Sequence, residues 1–245
     1  MITLRRSKER HHDRRREREV WLTFHPDDRP GPLAEGFGSL QILDEDRLSP
    51  GAGLPGRRQR DAEIVTYVRL GALAYGDSTG CSGVIQAGEF ERTTAGRGSH
   101  HTETNASRAD WAHVFQIWLR SAVAGLESGH EQKRFSAAER RGRLCVIASP
   151  DARRGSLRLH QDTVLYSAML APGKHVVHEL KEGRSAWLHL VEGELTLGDL
   201  VLSRGDGAGL TAERTVSLTA RAETEILLVD MGTDRLPSWN TGGAS

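Results

Sequence analysis

The residues best suited to chemistry are His101 and Glu103, which stand two apart in the segment GSHHTETN. If this segment is a strand, both side chains lie on one face, because strand side chains alternate with a period of two. A neutral imidazole and a carboxylate are suitable ligands for iron, but a non-haem iron site needs about three such donors. The neighbouring His100 would point to the opposite face, so the segment by itself provides two donors.

A second group of candidates lies in the stretch GAGLPGRRQRDAEIVTYVRLG, residues 51–71. Guanidinium is always protonated and has no lone pair, so Arg57 cannot bind a metal ion and would repel one. Gln59 offers only a weak amide oxygen, which suits hard ions. Glu63 is a further carboxylate that would add a donor only if Arg57 pointed away.

The elements that must position these residues are strands. From about residue 36, short runs rich in β-formers alternate with turns that contain glycine, and in HVFQIWL both alternating sets of side chains are largely apolar. This pattern is typical of a strand buried on both sides. A second β-rich block contains RLCVIASP, TVLYSAML and TEILLVDM, so the sequence predicts two barrels or sandwiches related by duplication.

These blocks predict an all-β protein with two domains. We place the first barrel, with the candidate pocket, over residues 1–120 and the second over residues 144–235. The polar, turn-rich residues 121–143 are interpreted as a linker, and residues 236–245 as a flexible tail.

The composition excludes several classes of partner. The chain of 245 residues has 33 basic and 33 acidic side chains, so no overall charge attracts nucleic acid, an anionic membrane or an acidic substrate. Two cysteines are too few for a disulfide framework and fit a reducing compartment. There is no apolar signal region, and no run approaches the roughly 18 apolar residues of a membrane span. We expect a cytoplasmic protein without a membrane partner.

The most basic stretch is at the N-terminus, where residues 5–18 hold eight basic side chains against three acidic ones. The stretch has no interleaved aromatic residues and no DNA-reading motif. We interpret it as a solvated, ion-paired arm and do not expect nucleic-acid binding.

Taken together, the segments resemble the pirin family of two-domain cupins. In the first half the resemblance rests on GFGSLQILDEDRLSPGAG, RDAEIVTYVRLGAL, QAGEFERTTAGRGSHHTETN and HVFQIWL, and in the second half on SPDARRGSLRLHQDTVLYSAMLAPG, AWLHLVEGELTL and EILLVDM. It implies two jelly-roll β-barrels packed face to face as a bicupin. In many members the N-terminal barrel binds one metal ion through a His-x-His pair and a His-x-Glu pair. Several members act on flavonols as dioxygenases, and others are described as transcription cofactors.

The resemblance places His101 and Glu103 at the second ligand pair, whereas Arg57 and Gln59 occupy the positions of the first. We therefore expect no cofactor, with iron, nickel or copper held by His101 and Glu103 as the alternative. Without a metal ion, Arg57 would form a bidentate bridge with Glu103, and neutral His101 would act as a general acid or base.

Five residues are candidates for contact with a small-molecule substrate: Gln59, Glu63, Tyr67, Phe115 and Trp118. The three aromatic residues stand at alternating strand positions and are more typical of a packed core than of a substrate cage. In the second half, His160 and Asp162 are interpreted as hydrogen-bonding scaffold. The spacing of His175 and His178 argues against a second metal site.

These expectations lead to a metal-independent cyclase or isomerase of bacterial secondary metabolism that acts on a small, largely hydrophobic molecule. Two alternatives remain open at this point. One is a metal-dependent oxygenase similar to quercetin 2,3-dioxygenases, and the other is a regulatory or binding protein without catalysis. The sequence does not indicate the oligomeric state.

Overall fold

The computed structural model describes residues 1–25, 33–56, 60–77, 80–97 and 101–232, without the side chains of Asp77 and His101. Strands dominate these ranges. The first eleven are β1 (Ile2–Arg5), β2 (His11–Arg14), β3 (Arg18–Leu22), β4 (Leu40–Leu48), β5 (Ala62–Leu70), β6 (Ala72–Asp77), β7 (Ser82–Gln86), β8 (Glu89–Thr94), β9 (His101–Asn105), β10 (Ala112–Arg120) and β11 (Gly129–Arg134).

The remaining strands follow a single short helix, α1 (Ala137–Arg140). They are β12 (Cys145–Ser149), β13 (Leu157–Arg158), β14 (Thr163–Leu170), β15 (His175–Glu179), β16 (Ser185–Glu192), β17 (Glu194–Leu197), β18 (Leu200–Ser203), β19 (Gly207–Thr211), β20 (Thr215–Ala220) and β21 (Thr224–Met231). Two 3-10 turns, Ser7–Glu9 and Arg153–Gly155, complete the described elements.

Each barrel consists of one large and one small sheet. In the first barrel the large sheet has the order β11-β8-β5-β10-β4-β3-β2 and the small one β7-β6-β9. In the second barrel the orders are β1-β19-β16-β21-β14-β12-β13 and β15-β20-β17-β18. The prediction of an all-β bicupin is confirmed.

The two large sheets pack face to face, and their contact is the main apolar core. Alternate residues of the central strands supply it, among them Tyr67 and Phe115 from the first barrel and Trp187 and Leu227 from the second. The intervening residues of the same strands face the inside of their own barrel, as Val114 does in the first. The alternation seen in HVFQIWL therefore separates a contact between barrels from a barrel interior.

Gly71 joins β5 to β6 and closes the stretch that begins at Gly51. Its φ of +76° lies in the left-handed region, and a Cβ there would come within 3.0 Å of the Ala112 Cα and of the Trp111 carbonyl oxygen. Only glycine meets both conditions without strain. The requirement at Gly71 is therefore a backbone constraint and is independent of any ligand.

The basic N-terminal segment is folded against both barrels, contrary to the expectation of a solvated arm. Strand β1 pairs with β19 of the second barrel, while β3 pairs with β4 of the first. Arg10 is buried, and its Nη1 donates to Oε2 of Glu45 at 2.8 Å. The same carboxylate has its Oε1 2.9 Å from Nε2 of His113. Burial raises the pKa of Glu45, but its bonds to His113 and Arg10 outweigh burial and hold that pKa well below its usual range.

Residues interpreted as a linker also take part in the barrels. Strand β11 lies within residues 121–143 and pairs with β8 over six positions. The division into residues 1–120, 121–143, 144–235 and 236–245 stays a prediction. Two strands pair across its boundaries: β1 pairs with β19 of the second barrel, and β11 pairs with β8 of the first. No helix in the described part of the chain is long and apolar enough to cross a membrane.

One buried ion cluster ties the barrels together beside the apolar contact. Glu225 accepts hydrogen bonds from the Tyr67 hydroxyl at 2.5 Å, from Arg140 Nη1 at 3.0 Å and from Arg69 Nε at 2.9 Å. Because Arg140 belongs to α1, the carboxylate links three separate parts of the chain. Removal of one member of such a buried cluster leaves uncompensated charge.

We expect Glu225→Gln to lower the free energy of unfolding by about 3 kcal/mol, because Arg140 loses its carboxylate partner in a buried setting, while Arg69 keeps its bridge to Glu192. Urea unfolding followed by tryptophan fluorescence measures this change. Glu223→Gln, at an exposed position two residues away, is the matched control and should stay within about 0.5 kcal/mol of the parent. Equal effects of the two substitutions would contradict a structural role for the cluster.

Candidate active site in the N-terminal barrel

A small, partly enclosed cavity lies inside the first barrel. Its volume of about 30 Å³ is room for one or two species the size of water. Its described lining residues are Leu54, Pro55, Ile64, Thr66, Tyr75, Glu91, Thr93, Glu103, Gln116, Trp118 and His130. No arginine or lysine is among them, so the two carboxylates meet no described cationic side chain in this lining.

Glu103, on β9, is the most strongly perturbed acid of the cavity. Its Oε2 accepts a hydrogen bond from Nε2 of Gln116 at 2.6 Å, and its Oε1 lies 3.5 Å from the Thr66 hydroxyl. Burial and the nearby charge of Glu91 raise its pKa to about 7, against the lowering effect of the Gln116 bond. A carboxyl with this pKa exchanges a proton near neutral pH.

The side chains of Glu91 and His130 form an acid–base pair that lines the same cavity. Oε1 of Glu91 lies 2.7 Å from Nδ1 of His130 and accepts a hydrogen bond from the Thr93 hydroxyl at 2.5 Å. The imidazole of His130 stacks on the Tyr75 ring, with centroids 5.6 Å apart. Glu91 is buried, and His130 and Thr93 are hydrogen-bond partners of its carboxylate.

The pair of Glu91 and His130 was not predicted from the sequence. His130 comes from β11, in residues interpreted as a linker, and nothing local in that polar stretch indicated a strand. Glu91 and Thr93 stand two apart in GEFERTT, and this alternation of polar side chains was the available signal.

Strand alternation separates the predicted substrate-binding residues into two groups. Trp118 lines the cavity together with Glu103. Glu63, Tyr67 and Phe115 do not line it, because their side chains lie on the faces of β5 and β10 that point away from the cavity. The inward faces of these strands carry Ile64, Thr66 and Gln116.

The three outward residues have other partners. Glu63 faces the second barrel, with its Oε1 3.3 Å from Nδ1 of His160 and its Oε2 3.4 Å from the His160 backbone nitrogen. Tyr67 bonds to Glu225, and Phe115 lies in the core between the barrels. His160 thus joins the two barrels, as expected for scaffold.

The remaining predicted residues fall outside what the structure describes. Arg57, Gln59 and His100 lie outside the described ranges, and for His101 only the backbone is described, as the first residue of β9. The predicted bridge between Arg57 and Glu103 therefore stays a prediction, as do the catalytic roles of His101, Glu103 and Arg57.

The donors within the described ranges do not by themselves make a metal site, since no group of three His, Cys, Asp or Glu side chains there is arranged to hold an ion. Electrostatics nevertheless favours a cation in the cavity. Glu103 and Glu91 share a low-dielectric space, and the raised pKa of Glu103 shows that its charge is poorly compensated by the described residues. A cation bound at Glu103 would relieve this.

Comparison with known protein families assigns both halves of the chain. A model described as Pirin matches residues 4–119, and a model described as the quercetinase C-terminal cupin domain matches residues 146–231.

Individual relatives agree with this assignment. A protein named quercetin 2,3-dioxygenase from Escherichia coli K12 is 35% identical over 231 residues, which cover 94% of this chain and 99% of the relative. A pirin-like protein from Caulobacter vibrioides is 31% identical, over 81% of this chain and 86% of its own length.

Solved structures show the same likeness. The crystal structure of YhhW from Escherichia coli aligns with a TM-score of 0.89 and 34% identity, over 95% of this chain and 98% of that one. The structure of the bacterial pirin YhhW in complex with nickel(II) aligns with a TM-score of 0.87 and 34% identity, over 95% and 100% of the two chains.

The nickel(II) complex corrects one expectation from the sequence. The absence of a cofactor was predicted from Arg57 and Gln59, and that prediction is wrong: a relative with the same fold along nearly its whole length binds a metal ion. If Arg57 and Gln59 stand in place of the family's first pair of histidines, they change which side chains are available to a metal ion. This change does not by itself remove the cofactor. The family models and the identity over nearly the full length show that the chain belongs to the pirin family of bicupins.

Proposed function

We propose that the N-terminal barrel is the active site of a metal-dependent oxygenase that acts on a small phenolic compound of the flavonol type. The part-buried carboxylate of Glu103, poorly compensated beside Glu91 in a cavity without a described cationic side chain, carries this proposal. The names of the relatives support it over the metal-independent cyclase or isomerase predicted from Arg57. The regulatory role, the cytoplasmic location and the absence of nucleic-acid partners stay predictions.

The residues of this chain that would hold the ion are His101 and Glu103. The resemblance to the family implies four ligand positions, and Arg57 and Gln59 occupy the other two. Because guanidinium cannot bind a metal ion and repels it, we expect weaker binding than a complete set of three histidines and one glutamate would give. A cavity of about 30 Å³ has room for an ion or a water molecule, so a flavonol-sized substrate would have to extend beyond it.

When bound, nickel, iron or copper supplies Lewis-acid chemistry that lowers the pKa of a substrate hydroxyl and assists its reaction with dioxygen. The chain's own contribution begins with Gln116, which donates its Nε2–H to Glu103 and orients that carboxylate before substrate arrives. The Glu91–His130 pair is the second proton-carrying element of the cavity and would accept the proton released by the hydroxyl. Trp118 and Ile64 give apolar walls that contact an aromatic ring and exclude water.

Glu103 should make the metal-free protein less stable as the pH rises. Its folded-state pKa is about 7 against an ordinary value of 4.5, so its stabilising effect is complete below about pH 4.5 and is lost as the pH rises to about 7. For a group shielded from solvent, a pKa shift of this size changes the free energy of unfolding by about 3 kcal/mol. The partial exposure of Glu103 reduces this change to about 2 kcal/mol.

Urea unfolding of chelator-treated protein between about pH 5 and pH 8 measures this slope. Glu103→Gln should remove most of it, whereas the exposed control Glu127→Gln should keep it. A slope that persists unchanged in Glu103→Gln would show that Glu103 does not titrate as described.

Metal affinity should depend on Glu103 and be limited by Arg57. We expect Glu103→Gln to weaken nickel(II) binding by at least about tenfold, and the double substitution Arg57→His and Gln59→His to strengthen it by at least about tenfold, because it restores the family's donors. Isothermal titration and elemental analysis measure both, with Glu127→Gln as control. Unchanged affinity in both variants would place the ion elsewhere.

Metal-loaded protein should consume dioxygen in the presence of quercetin or a simpler catechol. We expect Glu103→Gln to reduce the rate by about 100-fold or more, because a ligand and a proton-exchanging group are lost together. Oxygen uptake is measured on samples whose metal content has been determined. Absence of uptake from a stoichiometrically loaded protein with every phenol tested would refute the oxygenase proposal.

A further inference from the structure

The second barrel has its own cavity, with a volume of about 320 Å³, within the range of small-molecule sites. Its walls come from the loop after β12, from β14, β15 and β21, and from the loop before β16. It shares no lining residue with the cavity around Glu103. Val164 and Tyr166 belong both to its lining and to the apolar interior of the second barrel, so the cavity is the polar end of an otherwise apolar barrel.

A buried carboxylate organises the floor of this cavity. Asp230 accepts hydrogen bonds from Nε2 of His178 at 2.7 Å and from Nε of Arg184 at 2.5 Å. Nη1 of Arg184 also donates to Asp162 at 2.8 Å. Burial raises the pKa of Asp230, but the bonds from His178 and Arg184 outweigh it and the pKa is lowered. The charge of Arg184 is therefore compensated by two carboxylates, and the His178 ring is held in one orientation.

His178 presents its other nitrogen to the cavity. With Nε2–H donated to Asp230, Nδ1 of the neutral ring is a hydrogen-bond acceptor. Nδ1 has no hydrogen-bond partner among the described residues. It is not a buried atom, so it is accessible to solvent or to a ligand. The ring lies against Tyr166, with centroids 4.8 Å apart.

Donors line the same cavity as this acceptor. Nη2 of Arg153 donates to the Tyr166 hydroxyl oxygen at 3.2 Å, which leaves the Tyr166 O–H as a further donor. The nearest carboxylate to Arg153 is Asp151, at 3.9 Å, so its charge is only weakly compensated. Lys181 also lines the cavity and has no ion-pair partner among the described residues.

The backbone around Arg153 is unusual. Ala152 and Arg154, on either side of it, have φ values of 51° and 54°, in the left-handed region. Each such conformation costs about 1 kcal/mol for a residue other than glycine or asparagine. These two strained residues flank Arg153, whose side chain donates to the Tyr166 hydroxyl.

We propose that this cavity is a second binding site, for a small carboxylate that also carries a hydroxyl group. Arg153 and Lys181 bind the carboxylate, Nδ1 of His178 accepts the hydroxyl hydrogen, and the Tyr166 ring packs on the carbon skeleton. Glu179 and Asp151 also line the cavity and repel an anionic ligand. In a ligand with a hydroxyl group, the hydrogen bond from that group to Nδ1 of His178 offsets this repulsion. The cavity therefore favours a ligand that carries both groups.

The anion m-hydroxybenzoate, benzoate and phenol are suitable probes, because they carry both groups, only the carboxylate and only the hydroxyl, and the meta hydroxyl is too far from its own carboxylate to bond to it. We expect isothermal titration of the protein to show m-hydroxybenzoate binding at least about tenfold more tightly than either of the others, a difference equivalent to one hydrogen bond. His178→Gln and Arg153→Gln should each weaken m-hydroxybenzoate binding by about tenfold. His175→Gln, on the same strand, and Arg154→Gln, beside Arg153, are matched controls and should leave it unchanged.

Two further measurements separate this site from the first and from loss of folding. Thermal unfolding of Arg153→Gln tests folding, and we expect it to match the parent because Arg153 is at the surface. Glu103→Gln should bind m-hydroxybenzoate as the parent does. The proposal is overturned if m-hydroxybenzoate does not bind, if it binds no better than benzoate, or if Glu103→Gln abolishes binding while His178→Gln and Arg153→Gln do not.

Discussion

The two large sheets are buried on both faces, and most of the structure depends on this constraint. Each central strand packs one set of side chains between the barrels and the alternate set inside its own barrel. A shift of one residue would exchange the two sets, placing Tyr67 and Phe115 in the cavity and moving Thr66 and Gln116 to the contact between barrels. The position of the candidate site is thus a result of register, which the packing of both faces determines.

The two barrels use the same architecture for different interiors. The first has a polar interior with Glu91, Glu103 and His130 around a small cavity. The second is largely filled by aliphatic side chains and has a polar end where Asp230 bonds to His178 and Arg184. A carboxylate shielded from solvent is the central feature in both cases, but its neighbours differ. Glu103 is poorly compensated and has a raised pKa, whereas Asp230 is bonded to two donors and has a lowered pKa.

The link between the barrels combines an apolar face with ionic contacts. Tyr67, Arg140 and Glu225 form one such contact, and Glu63 with His160 forms another. Buried ion pairs add less to stability than an apolar contact of the same size, but they penalise any arrangement that leaves a charge without its partner. This explains why several charged residues are buried far from either cavity and why charge at these positions is not by itself a sign of catalysis.

Much of the fold could be predicted from the sequence. Alternation and turn spacing indicated two β-barrels, and the resemblance carried by segments in both halves indicated the family. The chemistry of Arg57 also followed from the sequence, but its consequence was overstated, since an altered donor set was read as the absence of a cofactor.

Other features depended on contacts that have no local signal. His130 reaches the cavity because β11 pairs with β8, and the segment of β11 is polar, so its amino acids did not predict a strand. Glu63, Tyr67 and Phe115 were assigned to the pocket because a residue type does not reveal which of two buried faces it occupies.

The sequence by itself therefore determined the type of fold, through strand periodicity, and the chemistry of the side chains at positions 57, 59, 101 and 103. Only the tertiary structure decided which side chains meet around Glu103 and around Asp230. The physical reason is that pairing between distant strands and the packing of two opposed sheets select one face for each residue, and neither interaction is present in a short stretch of chain.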